Sequence, residues 1–144
     1  MTHENLDPFA DSITAAKQVM QAHIDSINAR DGAAIAATLH FPHFRLTDGR
    51  LKTWETPDSY LSDFRSRAGQ EWSHSAWGHL NVVHANATKV HLDMEVQRFA
   101  TDGSLMIAFS SLWVIAKIDG VWAAQLRSSF APDARIIAEG DTHA

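Results

Sequence analysis

The sequence predicts an α+β domain in which helices pack on a strongly curved antiparallel sheet that encloses an apolar pocket. In the first half of the chain, apolar residues recur at the spacing of amphipathic helices. From Trp72 onward the apolar spacing changes to every second residue, as in half-buried strands. Turn signals at Asn86, Asp102-Gly103 and Asp119-Gly120 divide that half into four strands. Strands longer than the usual five or six residues curl when they twist, and a curled sheet leaves a hollow.

The helices come first along the chain. Residues 11–29 have one apolar face and are predicted to form an amphipathic helix. Asp31 offers an N-cap for a second, short helix, which must end by Phe41 because Pro42 disfavours helical geometry in the residue before it. Two helices are therefore expected before any strand.

A small hairpin and a third helix complete the first half. Phe44–Leu46 and Leu51–Trp54 flank the step Asp48-Gly49, which suits the positive backbone angles of a tight turn. Thr56-Pro57 is typical of an N-cap and first helical residue, and the apolar spacing continues that helix to Ala68.

Composition limits the class of protein. The 144 residues suit one domain, residues 1–144, with an ordered core expected over about 10–133. No apolar run approaches the roughly 20 residues that span a bilayer, so no membrane partner is expected. Residues 1–9 lack the basic and apolar parts of a signal peptide, which favours a cytoplasmic location.

Charge and cysteine content exclude several kinds of chemistry. The chain has no cysteine, which excludes disulfides, thiolate nucleophiles and zinc-thiolate sites. The net charge of −5 is scattered, unlike the basic face of a nucleic-acid binder. A small-molecule ligand is therefore the expected partner, with no nucleic acid, and the nine histidines are the one compositional oddity.

Counting outward from two-residue turns assigns side chains to the two faces of the sheet. The count pairs Trp113 with Leu126 and with Leu92, and pairs Ser111 with Ser128 and with Met94. A four-residue loop over Ala85–Thr88, with His84 opposite Lys89, would bring His79 beside Met94. The predicted helix-facing side chains are Trp77, His79, Asn81, Met94, Ser111, Trp113, Trp122, Leu126, Ser128 and Phe130.

The opposite face of the sheet is predicted to be the interface of a homodimer. Its members form a mixture of polar and apolar residues: His91, Asp93, Glu95, Gln97, Ser110, Leu112, Val114, Gln125 and Arg127. One alternative stays open, because an odd-length loop or a bulge before Val83 would move His79 and Asn81 to this outer face.

Two local strings resemble a known superfamily. Residues 39–46, Leu-His-Phe-Pro-His-Phe-Arg-Leu, and residues 120–131 at the end of the meander are similar to bacterial members of the SnoaL-like branch of the nuclear transport factor 2-like (NTF2-like) superfamily. The resemblance implies a cone-shaped half-barrel around three N-terminal helices, commonly dimeric through the open sheet face. The superfamily includes ketosteroid isomerases, cyclases, dehydratases, hydrolases and noncatalytic binders, so the resemblance leaves the function open. The isomerase pattern needs carboxylates in the pocket, and the predicted inner face has none.

Histidine chemistry is the leading prediction for the site. His79, beside Asn81, Ser111 and Ser128, could act as a general acid or base, because imidazole titrates near pH 6.5. The competing interpretation is a core histidine that makes one hydrogen bond. His43, predicted at the pocket mouth, is the second catalytic candidate.

The residues around His43 are predicted to contact the ligand. His40 flanks the same Phe-Pro step, and Arg45 could bind a ligand carboxylate in bidentate fashion. His40, His43 and His79 could also supply three nitrogen ligands to zinc, but Pro42 makes their spacing a loop feature. The prediction is therefore no metal and no cofactor.

Aromatic residues give the pocket its predicted ligand class. A planar ligand could stack on the aromatic side chains and pack on Met94, although large aromatics more often fill cores. The candidates are Trp54, Tyr60, Trp77 and Trp113. The sequence thus favours a pocket protein for a small apolar or aromatic molecule, either a cofactor-independent isomerase, cyclase or dehydratase or a noncatalytic ligand-binding or dimerisation module.

Overall fold

The computed structural model describes residues 7–67 and 71–131 and shows an α+β fold. A short 3-10 helix, Asp7–Phe9, precedes the first α-helix. The elements are α1 Ala10–Ala29, α2 Gly32–Ala37, β1 Leu39–Thr47, β2 Arg50–Trp54, α3 Pro57–Arg67, β3 Trp72–Ala85, β4 Lys89–Ala100, β5 Leu105–Ile118 and β6 Val121–Ser129. Ala68, the predicted end of α3, and residues 132–133 of the predicted core lie outside the described residues.

The caps and turns follow the sequence signals. The Asp31 carboxylate accepts a hydrogen bond from the Ala34 backbone N–H at 3.2 Å, which confirms the predicted N-cap of α2. Asp48 and Gly49 have φ of 51° and 75°, and both central residues of this two-residue turn therefore have positive φ. This geometry matches the twist of the flanking strands β1 and β2.

All six strands form one sheet in the order β2-β1-β6-β5-β4-β3. The predicted four-strand meander is confirmed as β3–β6, with antiparallel neighbours. The hairpin β1–β2 joins it through a parallel pairing of β1 with β6. The sheet is curved and unclosed, and α1 contacts strands β3–β6 on its inner face.

The centre of the sheet has the predicted register. Met94 lies opposite Ser111 and Leu92 opposite Trp113, all four on the inner, helix-facing side and buried. Ile118 pairs with Val121 across the last turn, also as predicted. The two-residue-turn count therefore succeeds wherever the ladder is uninterrupted.

A bulge in β6 reverses the prediction beyond it. Val114 pairs with Leu126 but Ile115 pairs with Ala124, so Gln125 is an extra residue in the strand. Trp113 consequently faces Arg127, not Leu126. The predicted inward placements of Leu126, Ser128 and Phe130 are wrong, and the predicted outward placement of Arg127 is wrong too: Arg127 is buried, whereas Phe130 is 75% exposed.

Bulges in β3 place His79 on the outer face of the sheet, whereas the β6 bulge turned Arg127 inward. Register shifts between Trp77 and Leu80 place Leu80, not His79, opposite Met94. Asn81 pairs with Asp93 on the outer face. The predicted inward placement of His79 and Asn81 is therefore wrong, and the bulge interpretation is correct.

Gly78 lies within the bulge between Trp77 and Leu80. A Cβ on Gly78 would overlap Oε1 of Glu95, a half-buried residue of the neighbouring strand. The absent side chain thus leaves room for a carboxylate on the outer face. Among residues 7–67 and 71–131, no helix is both long and apolar enough to cross a membrane.

Candidate functional site

Five buried side chains from five different elements meet between the helices and the inner face of the sheet. We call them the interior cluster: His23 of α1, His43 of β1, Tyr60 of α3, Trp113 of β5 and Arg127 of β6. The His43 ring centroid lies 5.8 Å from that of Tyr60 and 6.4 Å from that of Trp113. The His23 ring lies 5.1 Å from Trp113.

The strand pairing explains how two of these residues meet. Trp113 and Arg127 are direct cross-strand partners because the β6 bulge turns Arg127 inward. Cross-strand partners on one face lie within contact distance. The Arg127 guanidinium carbon is 4.7 Å from the centroid of the Trp113 ring, a cation–π contact.

The hydrogen bond of His43 fixes its tautomer. Nδ1 lies 3.1 Å from the carbonyl oxygen of Ala124. A carbonyl oxygen only accepts, so Nδ1 carries the hydrogen and donates it. In the neutral ring, Nε2 is then the basic nitrogen with a free lone pair. Nε2 is buried and has no hydrogen-bond partner among the described residues.

The same reasoning assigns His23. The Thr38 hydroxyl donates to the carbonyl oxygen of Ile35 at 2.7 Å, so its oxygen is left to accept. His23 Nδ1 lies 2.7 Å from that oxygen and is therefore the donor. Both interior histidines thus hold Nδ1–H and leave Nε2 as the basic nitrogen.

Burial keeps both imidazoles neutral. Desolvation, reinforced by the positive charge of Arg127, lowers the pKa of His43 to about 2. Desolvation and Arg127 likewise lower the pKa of His23 to about 3. Both pKa values lie far below the ordinary 6.5, because a charged ring would lose its hydration beside a fixed cation.

Arg127 is the most unusual member of the interior cluster, because it is only 7% exposed. Its Nη1 donates to the Tyr60 hydroxyl at 3.2 Å, and its guanidinium lies over three aromatic rings. No carboxylate of the described residues forms an ion pair with it. Cation–π contacts contribute about 0.5–2 kcal/mol each and bring no negative charge, whereas burying an ion costs several kcal/mol.

Trp113 adds a second polar atom without a partner. Its Nε1–H is buried and donates no hydrogen bond to any described residue. Within the described part of the chain, the cluster therefore contains an unused donor on Trp113, an unused acceptor on His43 and an unpaired cation on Arg127. Buried polar groups are normally satisfied, so this combination marks the interior cluster as the candidate site.

Comparison with known proteins identifies the fold. No protein-family model matches the sequence, and no curated protein matches it. An NTF2-like protein of unknown function from Shewanella oneidensis superposes with a TM-score of 0.67 at 12% identity, over 86% of this chain and 99% of its own. The protein has the NTF2-like fold.

Two further NTF2-like neighbours carry functional names. One is a hexachlorocyclohexane dehydrochlorinase, LinA-type3, from Novosphingobium barchaimii, with TM-score 0.66, 19% identity and coverage of 91% of this chain and 95% of that one. The other is a ketosteroid isomerase-like protein from Erwinia carotovora, with TM-score 0.61, 17% identity and coverage of 83% and 96%. Identities this low establish the NTF2-like fold and nothing finer.

The NTF2-like cone brings some predicted site residues together and separates others. The predicted residues that lie inside are His43, Trp54, Tyr60, Trp77, Met94, Ser111 and Trp113. His43 lies in the core, not at a pocket mouth. His79 and Asn81 are exposed on the outer face, where His79 Nε2 lies 3.5 Å from Asp93.

The other predicted ligand contacts have structural partners. His40 Nε2 lies 2.9 Å from the Ala116 carbonyl oxygen and donates to it, which ties β1 to β5. The Arg45 guanidinium carbon lies 5.5 Å from the centroid of Trp54. Ser111 donates to the Ser128 carbonyl at 3.3 Å, so Ser128 contributes its backbone and not its side chain.

The three-histidine metal hypothesis fails on geometry. His43 is in the core and His79 is on the outer face, so the two cannot bind one ion. Nowhere in residues 7–67 and 71–131 do three His, Asp or Glu side chains form a group that could hold a metal.

Sequence reasoning missed His23 and Arg127. His23 lies three residues after Met20 and four before Ile27, within the apolar stripe of α1, and that spacing could have revealed it. Arg127 had no comparable signal, because its inward direction depends on the β6 bulge.

The interior is closed by its own side chains in this structure. Trp54, Tyr60 and Met20 are among the largest fully buried residues. Two surface concavities, of about 290 and 280 Å³, lie beside α2–α3 and at the β3–β4 turn. No member of the interior cluster lines either one, so a ligand of the interior would have to displace packed side chains.

Proposed function

We propose that this protein binds a small, largely apolar or aromatic molecule within its NTF2-like cone and transfers a proton on it through His43. The observation that carries the proposal is the buried, neutral imidazole of His43, whose basic Nε2 has no partner among the described residues of an aromatic interior. A free lone pair at such a place suits a group that accepts a proton or hydrogen bond from a ligand.

The names of two neighbours support this class of ligand and reaction. A dehydrochlorinase removes hydrogen chloride from hexachlorocyclohexane, and a ketosteroid isomerase-like protein is named for an isomerase of steroids. Both names describe proton transfer on largely apolar molecules, and both neighbours share this fold. The interior of the present protein is itself lined by apolar and aromatic side chains, which suits an apolar ligand.

The geometry suggests one reaction scheme. A C–H bond of the ligand breaks, its proton moves to His43 Nε2, and the bonding electrons move into an adjacent carbonyl or expel a leaving group. Arg127 and the Trp113 N–H can stabilise the negative charge that develops on oxygen. The residues needed are all side chains of this chain, so the scheme requires no cofactor.

The pKa of His43 sets a condition on that scheme. A base whose conjugate acid has a pKa of about 2 is weak, whereas proton transfer works best when the pKa lies near the operating pH. A ligand group that counters the charge of Arg127 would raise the pKa of His43 toward its ordinary value. Catalysis is therefore a property of the ligand-bound state.

The second candidate function is noncatalytic ligand binding. It is favoured by the packing of the interior, since the side chains of the cone fill the space that a substrate would need. The two functions share the same site and differ in whether His43 moves a proton. The homodimer through the outer sheet face and the cytoplasmic location stay predictions.

A panel of aromatic ketones tests the proposal. Acetophenone, 1-indanone and 4-acetylbenzoate carry exchangeable hydrogens beside a carbonyl, and NMR in heavy water measures both their binding and their hydrogen–deuterium exchange. The carboxylate of 4-acetylbenzoate supplies a negative group that can counter the charge of Arg127. We expect binding and faster exchange with the wild-type protein. His43→Asn should abolish the exchange, because an amide can still donate to Ala124 but cannot take a proton.

The matched control is His79→Asn on the outer face, which should exchange at the wild-type rate. Binding without exchange would support the noncatalytic function. A protein that binds none of the ketones would contradict the proposal itself.

A further inference from the structure

The positive charge inside the cone points to the chemical class of the ligand. Among the described side chains, Arg127 is the one Arg or Lys that is buried. A guanidinium keeps its charge at every physiological pH and offers five N–H donors in a planar fork. Within the described residues only one hydrogen bond uses that fork, from Nη1 to the Tyr60 hydroxyl.

The remaining neighbours of Arg127 do not replace a counterion. The rings of Trp54, Tyr60 and Trp113 supply aromatic faces at 4.7 to 5.9 Å from the guanidinium carbon. The nearby imidazoles of His23 and His43 are neutral. A buried cation is normally paired with a negative group, and the described part of the chain provides none.

A second donor lies beside Arg127. The Trp113 Nε1–H is buried and has no partner in residues 7–67 and 71–131, and Trp113 is the cross-strand neighbour of Arg127. An anion near this pair could accept from both the guanidinium and the indole. Such an anion would also offset the charge that helps to lower the pKa of His43.

We infer that the ligand of the interior cluster carries a carboxylate, bound by Arg127 together with the Trp113 N–H, on an apolar or aromatic body. The inference rests on the proposed function, because it concerns the same site. A carboxylate matches the planar fork of one guanidinium. A phosphate monoester would bring about two negative charges to a single buried cation, so it is expected to bind more weakly.

Matched aromatic probes test the inference. The probes are 4-methylbenzoate, its neutral near-isostere 4-methylbenzamide, and 4-methylphenyl phosphate, with dissociation constants from ligand-observed NMR at pH 7.5. We expect the wild-type protein to bind the carboxylate at least about tenfold more tightly than the amide or the phosphate.

The variant Arg127→Met removes the charge and keeps an apolar side chain of similar length. Replacing buried charge by a hydrophobic residue usually preserves folding. In this variant we expect the carboxylate preference to fall below about threefold, with amide binding retained. Lys117→Gln removes one exposed positive charge at the far end of β5 and should leave the preference unchanged.

The outcomes separate this inference from the proposed function. Equal binding of carboxylate and amide by the wild-type protein overturns the inference and leaves the apolar pocket standing. Tighter binding of the phosphate would likewise overturn the choice of a carboxylate. A preference that survives in Arg127→Met would place the anion elsewhere and also overturns it. If no probe binds and the aromatic ketones fail as well, the proposed function falls too.

Discussion

The observed register agrees with a count from the turns in the two central strands of the sheet but departs from it in the strands on either side. Strands β4 and β5 pair without interruption from Lys89 to Arg98, and the register there agrees with a simple count from the turns. Strand β6 contains a bulge beyond which the count fails by one residue, whereas in β3 the count fails by one residue over Leu80–Val82, between two bulges, and is correct again at Trp77. Because side chains alternate faces, a slip of one residue exchanges the inside and outside of the sheet.

The exchange changed the chemistry of the pocket. The bulge between Trp77 and Leu80 leaves His79 on the outer face, where its Nε2 lies 3.5 Å from the Asp93 carboxylate. The β6 bulge moved Arg127 into the core beside Trp113. The expected site was a neutral pocket with a titrating histidine, whereas the observed one has a buried cation and histidines held neutral. The choice of candidate site residues in this protein therefore depended on where the bulges lie.

The largest expected effect is a fall in the free energy of unfolding at acidic pH. Above pH 6.5 the interior histidines are neutral in both the folded and the unfolded protein. Below it the unfolded chain binds protons that the folded one, with pKa values of about 2 and 3, does not. Each imidazole then lowers the free energy of unfolding by about 1.4 kcal/mol per pH unit, so the pair removes about 2–3 kcal/mol per unit. Urea unfolding between pH 7 and pH 4.5 measures this.

Single variants show whether the pH dependence of the free energy of unfolding arises from the interior histidines. His43→Asn should reduce the pH dependence by about half, since one imidazole is removed. His79→Asn should leave it unchanged. A wild-type free energy of unfolding that stays constant from pH 6.5 to pH 4.5 would show that His23 and His43 are not held neutral.

A smaller effect should arise at the β3 bulge. Gly78→Ala places a methyl group where Glu95 Oε1 lies and close to the Gln97 amide, so these flexible side-chain ends must move, and we expect a loss of about 0.5–1 kcal/mol in stability. Glu95→Ala should remove most of that loss in the double variant, measured by a double-mutant cycle in urea. Additive losses in the two variants would mean that the carboxylate does not require the glycine.

The smallest effect should come from the displaced histidine. His79→Ala removes an exposed contact between His79 Nε2 and the Asp93 carboxylate, and even charged surface pairs contribute only about 0–1 kcal/mol. Thermal unfolding should therefore shift little, and ligand binding inside the cone should not change. A large loss of binding in His79→Ala would contradict the outward placement and restore the simple count.

Local chemistry explains why so much of the fold was predictable. Caps such as Asp31 and turn steps such as Asp48-Gly49 act within a few residues, so they define where helices and hairpins begin and end. His43 was also a candidate, because its string of residues stood out. Its burial was not foreseen, because β1 becomes an interior strand only by pairing with β6 in parallel.

The sequence by itself determined the helices, the strands, the four-strand meander and the aromatic character of the interior, because hydrophobic periodicity and turn residues are properties of short segments. Only the tertiary structure decided that Arg127 points inward and His79 outward. A bulge arises where two strands and the layer above them must fit together, as at Gly78 and Glu95, and that fit is a property of contacts between distant segments.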